Sequence, residues 1–192
     1  EILEVLAPQP GQVVVDCTLG YGGHARELLG RIQPGGRLVG LDVDPIELPK
    51  TTERLRAAGF GEAVFTPVRS NFAGLPKMLG ELGLEGADCI LADLGVSSMQ
   101  LDDPTRGFTY KADGPLDLRL NPQRSPSAAE FLAHVSESKL TAVLADFADE
   151  PRAALLAREL IAQRTRTPFT RTRQLADTLL EILSDNGLAR DH

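Results

Sequence analysis

The stretch that decides the fold is residues 13–24, with the sequence Val-Val-Val-Asp-Cys-Thr-Leu-Gly-Tyr-Gly-Gly-His. Three β-branched residues in a row predict a strand of a parallel sheet, which is buried on both faces. The strand ends in an acid, a glycine-rich turn follows, and a helical pattern runs from Ala25 to Ile32. This order predicts a nucleotide-binding α/β fold with its ligand at the carboxyl end of the strand. The turn glycines, Gly20, Gly22 and Gly23, give the backbone freedom and leave room for that ligand.

Three more strands are predicted to alternate with helices after this unit, at residues 37–41, 64–68 and 87–94. The alternation favours a parallel, doubly wound sheet with right-handed crossovers. The fourth strand is predicted to be buried and to end at Asp93. Pro45 is expected in the first turn of the helix after the second strand, and Pro49 is expected to kink or delay that helix.

Length and composition limit the class of protein. A chain of 192 residues with net charge −7 predicts one domain, or one domain with an insertion. No apolar run approaches the roughly 20 residues that span a bilayer, and no signal peptide is evident, so we predict a cytoplasmic protein without a membrane partner. Cys17 and Cys89 lack metal-ligand spacing, which predicts reduced thiols and no metal site. The acidic balance argues against a general nucleic-acid coat but leaves room for a local basic patch.

Two acids indicate the type of ligand. Asp42 ends the second strand, twenty positions after Gly22, where an acid typically binds ribose hydroxyls. Asp16 stands at the mouth of the first strand, where a pyrophosphate would otherwise lie. A carboxylate there repels a pyrophosphate but attracts an ammonium or sulfonium group, which favours S-adenosylmethionine over a nicotinamide cofactor. The alternative is that Asp16 only caps the following helix.

Residues 93–100, Asp-Leu-Gly-Val-Ser-Ser-Met-Gln, follow the fourth strand and are predicted to border the cofactor crevice. The Asp93 carboxylate can accept a hydrogen bond from an amino group that is being alkylated, or from the ammonium of the cofactor. Ser97 and Gln100 offer hydroxyl and amide contacts, and Asp93 and Ser97 are the candidate catalytic residues. The alternative is a tight turn with serine caps. His24 is predicted to contact the cofactor as a neutral side chain rather than to act as a base.

Residues 95–126 are rich in Gly, Pro, Asp and Ser, and a polar segment of this length inside a domain is typical of a functional loop. Arg106 and Arg119 are candidates for phosphate contacts, and Phe108 and Tyr110 for stacking on an extruded base. The alternative is that Asp–Arg pairs simply hold the loop together.

From Ser127 to about Leu183 the pattern is helical, and Ser127 with Glu130 predicts a capping box. Five arginines lie close together in this region and predict an edge that contacts phosphates, unless they form a solvated helix face. They are Arg158, Arg164, Arg166, Arg171 and Arg173.

Taken together, the motifs resemble the bacterial family of methyltransferases that modify N4 of a cytosine in 16S ribosomal RNA. The resemblance rests on residues 16–24, 41–45, 93–103, 106–108 and 113–119. It implies a Rossmann-like class I methyltransferase sheet, doubly wound, with an inserted helical subdomain. Residues 1–103 would bind S-adenosyl-L-methionine, and residues 104–192 would form a loop and an inserted helical subdomain that recognises the substrate.

Besides the catalytic candidates Asp93 and Ser97, the resemblance and the residue pattern together predict two groups of site residues. The candidate cofactor contacts are Gly20, Gly22, Gly23, His24, Asp42, Phe72, Asp93 and Gln100, with Phe72 packed against adenine. The candidate substrate contacts are Arg106, Phe108 and Arg119.

The implied substrate is a cytosine of 16S rRNA near the decoding centre, within the small ribosomal subunit. A homodimer is one possible oligomeric state of the chain. The family pattern also includes a His-containing stretch before the first helix and further strands after the helical insertion; the sequence has neither, so we expect a chain truncated at both ends. Alternative functions are a DNA amino-methyltransferase, a catalytically inactive RNA-binding fragment and, more distantly, a nicotinamide dehydrogenase.

Overall fold

A computed structural model describes residues 1–186. The chain divides into two compact units, Glu1–Ser97 and the residues from Ser98 onward. The predicted assignment of residues 1–103 to cofactor binding and of residues 104–192 to substrate recognition stays a prediction.

The first unit is an α/β unit built around four parallel strands in the order β3–β2–β1–β4. Its elements are α1 (Ile2–Leu6), β1 (Val13–Asp16), α2 (Gly23–Ile32), β2 (Arg37–Asp42), α3 (Glu47–Ala57), β3 (Phe65–Arg69), α4 (Leu75–Glu81) and β4 (Cys89–Leu91). A 3-10 turn, Phe72–Gly74, precedes α4. The strand order confirms the predicted α/β fold with a parallel sheet.

Strand β1 is buried because apolar clusters cover both of its faces. Val14 packs with α2 residues such as Leu28, whereas Val15 packs with Met78 of α4. Successive side chains of a strand point to opposite faces, so both faces of β1 require apolar residues. Val14 and Val15 are each fully buried, which explains the unbroken β-branched run of the sequence.

The structure corrects two expectations about local elements. β4 spans only Cys89–Leu91 and pairs with β1 alone among the described strands. As an edge strand it leaves Ile90 51% exposed, so the prediction of a long buried strand was wrong. α3 begins at Glu47, so Pro45 precedes the helix and Pro49 lies in its first turn, where the missing N–H would have no acceptor within the helix.

The second unit is helical over most of its described length. It contains α5 (Ser98–Asp102), a 3-10 turn (Pro104–Arg106), α6 (Ala128–His134), α7 (Glu137–Ala148), α8 (Ala153–Arg164) and α9 (Thr172–Asp185). Its apolar cluster includes Leu116, Leu132 and Phe169. The predicted capping box of Ser127 and Glu130 is present at the start of α6. None of the helices in residues 1–186 is both long and apolar enough to cross a membrane.

Arg164 connects two helices of this unit. Its Nη1 donates to the carbonyl oxygens of Leu132 and Val135, at 2.6 and 2.7 Å. These carbonyls lie at the end of α6, where helical oxygens lack partners within the helix. The guanidinium of α8 therefore caps α6.

We predict that Arg164→Met lowers the free energy of unfolding by about 1.5–3 kcal/mol, because two carbonyls lose a charged donor. The control is Arg166→Met, since Arg166 is exposed and its replacement should change stability by less than about 0.5 kcal/mol. Urea unfolding of both variants measures the difference. Equal stability of the two variants would refute the capping role.

Candidate functional site

The candidate site lies where the strand order reverses, between β1 and β4. In doubly wound sheets the ligand crevice opens outside the carboxyl ends of the strands at this point. Residues 17–22 leave the end of β1 and residues 92–97 leave the end of β4. The two loops therefore border the predicted crevice.

The glycine turn after β1 has a backbone that favours glycine at two positions. Gly20 has φ +47° and Gly22 has φ +84°, a region that other residues adopt at a cost. A Cβ atom added to Gly22 would lie 2.7 Å from Cγ2 of Thr51. Gly22 is the N-cap of α2, and Gly23 is its first residue. Glycine is therefore favoured at Gly20 by the positive φ angle, and at Gly22 both by the positive φ angle and by the lack of room for a Cβ atom.

Asp42 holds this turn against the end of β2. Its Oδ2 accepts a hydrogen bond from the Gly20 N–H at 2.9 Å, and its Oδ1 accepts one from the Asp44 N–H at 2.9 Å. Burial raises the pKa of Asp42, which these backbone donors partly offset. The acid predicted to bind ribose hydroxyls thus also orders the glycine turn, and its contact with ribose stays a prediction.

Asp16 is only 1% exposed at the end of β1. Its Oδ1 accepts a hydrogen bond from the Thr18 N–H at 3.1 Å, whereas α2 has Gly22 as its N-cap and no side-chain cap. The helix-cap alternative was therefore wrong. Burial raises the pKa of Asp16 to about 6; the Thr18 N–H and His24 oppose this rise, while Asp42 and Asp93 add to it. A cation bound nearby would stabilise the ionised carboxylate.

This burial predicts a specific pH dependence of stability. The folded chain holds the Asp16 proton more tightly than the unfolded chain, whose pKa is near 3.8. The contribution of Asp16 to the free energy of unfolding therefore falls by up to about 3 kcal/mol as pH rises from about 4 to about 7.

Asp16→Asn keeps an oxygen for the Thr18 N–H but cannot ionise, so we expect its stability to rise relative to the parent chain as pH increases over this range. Urea unfolding of both proteins at matched pH values measures the gap and cancels the contribution of other acids. A gap that stays constant with pH would contradict the buried-acid interpretation.

The structure brings Asp93, Ser97 and His24 to the glycine turn. The Asp93 N–H donates to Oγ1 of Thr18 at 2.8 Å, and its Oδ2 lies 4.0 Å from Nδ1 of His24. The Asp93 and His24 side chains are 65% and 44% exposed, so both are accessible to a ligand. Cβ of Ser97 would lie 3.8 Å from a Cβ added to Gly20. The catalytic roles of Asp93 and Ser97 stay predictions.

Phe72 follows β3, the strand that lies beside β2 in the sheet. β3 ends at Arg69, which is in register with Asp42 of β2, and the Ser70 N–H donates to the Asp42 carbonyl at 3.2 Å. The ring of Phe72 is 47% exposed. An exposed aromatic ring just beyond the strand ends is available for stacking on adenine, and this role stays a prediction.

The predicted residues from Ser98 onward belong to the second unit. Gln100 is buried in α5. Arg106 is 7% exposed and donates to the carbonyls of Arg119 and Leu120, both at 3.1 Å. Its guanidinium carbon lies 6.0 Å from the centre of the Phe108 ring. Within this unit Arg106 therefore connects parts of the loop.

Arg119 also stabilises the loop through a bidentate ion pair with Asp117. Its Nε donates to Oδ1 at 2.8 Å and its Nη2 donates to Oδ2 at 2.6 Å. The hydrogen bonds from Arg119 lower the pKa of Asp117. The Arg119–Asp117 pair is a contact of the kind that the alternative of Asp–Arg pairs predicts. Phosphate or base contacts by Arg106, Arg119 and Phe108 stay predictions.

Four of the five arginines of the helical region have side-chain partners in their own unit. Arg158 pairs with Glu159, Arg171 pairs with Asp113, and Arg173 donates to the Lys111 carbonyl. Arg164 caps α6, as described above. Carboxylates therefore pair with two of these arginines, and the phosphate-contacting edge stays a prediction.

Thr51 is a contact of the glycine turn that the sequence analysis missed. It is fully buried in α3, and its Oγ1 donates to the Gly20 carbonyl at 2.5 Å. The two residues are 31 positions apart, and a threonine within a helix carries no signal of such a contact. Only the three-dimensional structure shows the contact between Thr51 and Gly20.

Comparison with known sequences gives the family. Residues 1–191 match the MraW methylase family. The chain belongs to this family. This confirms the resemblance that the motifs indicated.

Curated relatives agree with this assignment. Ribosomal RNA small subunit methyltransferase H 1 of Lachnoclostridium phytofermentans is 47% identical over 184 residues, which are 95% of this chain and 50% of the relative. Methyltransferase H 2 of Alkaliphilus metalliredigens is 44% identical over 190 residues, 97% of this chain and 54% of the relative. Ribosomal RNA small subunit methyltransferase H of Burkholderia vietnamiensis is 39% identical over 195 residues, 100% of this chain and 60% of the relative. The chain thus spans about half the length of the first two relatives.

Proposed function

We propose that this chain binds S-adenosyl-L-methionine at the glycine turn and belongs to an enzyme that methylates N4 of a cytosine in 16S rRNA. The observation that carries the proposal is the group of three carboxylates around the turn, in a chain of the MraW methylase family. Asp16 is buried at the end of β1, Asp42 accepts a hydrogen bond from the Gly20 N–H of the turn, and Asp93 lies exposed at the start of the loop that follows β4.

The charges of these residues fit the methyl donor better than a dinucleotide. Two carboxylates with raised pKa values, Asp16 and Asp42, would repel a pyrophosphate, whereas the ammonium and sulfonium groups of the donor would offset their charge. The cofactor contacts that we propose are Gly20, Gly22, Gly23, His24, Asp42, Phe72, Asp93 and Gln100.

The contribution of the protein to catalysis is orientation, exclusion of water and placement of acceptors. When bound, S-adenosyl-L-methionine supplies a methyl group from its sulfonium for direct displacement by nitrogen. The exocyclic amine of cytosine is a weak nucleophile because its lone pair is conjugated with the ring. We propose that the Asp93 carboxylate accepts a hydrogen bond from this amine and localises the lone pair, with Ser97 as an additional polar contact.

The proposed substrate follows from the names of the relatives, which are ribosomal RNA small subunit methyltransferases. We propose a cytosine near the decoding centre of the small ribosomal subunit in the cytoplasm. A homodimer is the oligomeric state to test by sedimentation. A DNA amino-methyltransferase is less well supported, because residues 93–98 lack the prolines that are typical of those enzymes.

The first test is calorimetric titration of the chain with S-adenosyl-L-methionine. We expect binding that Asp42→Ala abolishes, because the variant loses both the ribose acceptor and the support of Gly20. Asp88→Ala is the matched control, since Asp88 also accepts a backbone N–H, that of Val13, at the opposite end of β1. A folded chain that does not bind the compound, or equal loss in both variants, would overturn the cofactor assignment.

The second test measures transfer of a labelled methyl group to small ribosomal subunits. We expect Asp93→Asn to lower the rate by roughly 10²-fold or more, because a neutral amide is a weaker acceptor at the developing charge. Glu62→Gln, an exposed acid paired with Arg56, should leave the rate unchanged. Duplex DNA should accept no label. Label on DNA but not on ribosomal RNA would instead support the DNA enzyme.

A further inference from the structure

We propose that Thr51, oriented by Arg54, is a positioning residue that holds the glycine turn in the shape that receives the cofactor. This inference rests on the proposed function, and it names residues of α3 that lie outside the predicted site. Both side chains contact the turn directly. Neither was among the residues that the motifs indicated.

The hydroxyl of Thr51 connects α3 to the centre of the turn. It donates to the Gly20 carbonyl at 2.5 Å, while the N–H of Gly20 donates to Asp42. Gly20 is therefore held on both sides, by β2 through its N–H and by α3 through its carbonyl. Because Asp42 is the predicted ribose acceptor, a shift of Gly20 would also disturb the carboxylate that it supports.

Arg54 fixes the direction of this hydroxyl. Its Nη2 lies 2.6 Å from Oγ1 of Thr51, and a guanidinium can only donate. The Thr51 oxygen must therefore accept from Arg54, which leaves its single hydrogen for the Gly20 carbonyl. Nη2 also donates to the Tyr21 carbonyl at 3.3 Å, and the guanidinium carbon lies 4.0 Å from the centre of the Tyr21 ring, a cation–π distance.

The methyl group of Thr51 acts on the other end of the turn. Cγ2 occupies the space that a Cβ at Gly22 would need, at 2.7 Å. The two branches of one side chain thus serve different purposes, since the hydroxyl binds Gly20 and the methyl packs on Gly22. Both glycines have positive φ, so these contacts stabilise a backbone shape that the chain would otherwise adopt less often.

The chain offers a matched pair of variants on the same helix. Thr51→Val keeps the shape but removes the hydroxyl, which leaves the Gly20 carbonyl without its donor. Thr52→Val is the control, because the Thr52 hydroxyl donates to the Leu48 carbonyl within α3 rather than to the turn. Thr51→Ser restores the hydroxyl without the methyl group.

Two measurements on the full chain test the inference. Amide hydrogen exchange without ligand reports the order of the turn, and we expect faster exchange at Gly20 and Gly22 in Thr51→Val, with the Val39 amide of β2 unchanged. Calorimetry with S-adenosyl-L-methionine should show roughly tenfold weaker binding for this variant, the effect of one lost buried hydrogen bond. Thr51→Ser should recover most of the affinity, and Thr52→Val should match the parent chain.

The two measurements separate the possible failures. If the parent chain does not bind S-adenosyl-L-methionine, the proposed function fails, and the exchange rates still decide whether Thr51 holds the turn. If Thr51→Val and Thr52→Val behave alike in both measurements, the positioning role is refuted. Faster exchange in Thr51→Val with unchanged affinity also refutes it, because the ordered turn would then not matter for the ligand. Failure of Thr51→Ser to recover affinity would assign the effect to packing rather than to the hydroxyl.

Discussion

The hydrogen bond from the Gly20 N–H to the Asp42 carboxylate is the interaction on which the arrangement of the site depends. It joins the turn after β1 to the end of β2, two neighbouring parallel strands whose register places Asp16 opposite Gly40. The turn can adopt its shape because its glycines tolerate positive φ. Because Asp42 is also the proposed ribose acceptor, the proposed ligand contact and the local fold depend on the same carboxylate.

Electrostatics explains why such a site suits a cationic ligand. Burial of Asp16 and Asp42 raises the pKa values of both carboxyl groups, so the free protein carries unfavourable charge near the ends of β1 and β2. The positively charged methyl donor that we propose as ligand would relieve this cost on binding. The site is therefore built in part at the expense of the stability of the unliganded chain, as is common where pKa values are perturbed for function.

The second unit uses charge in a different way. Arg106, Arg119 and Arg164 donate to carbonyl or carboxylate oxygens of the unit itself. The loop between α5 and α6 lacks long regular elements, and the guanidinium groups of Arg106 and Arg119 supply it with additional donors. Their planar geometry with several N–H groups suits this purpose. An arginine-rich composition in this chain is thus partly a structural requirement of an irregular loop.

Local patterns in the sequence determined the family, the four parallel strands, the capping box at Ser127 and the glycine turn with Asp16, Asp42 and Asp93, because each depends on neighbouring residues or on strand ends that a parallel sheet brings together. The sequence did not determine the short exposed edge of β4, the start of α3 after Pro45, the partners of the arginines or the contact of Thr51 with Gly20. Only the tertiary structure decided these, because it sets where strands and helices end and which side chains come within hydrogen-bonding distance; Thr51 and Gly20, for example, are 31 positions apart. Spacing along the chain carries no information about such contacts.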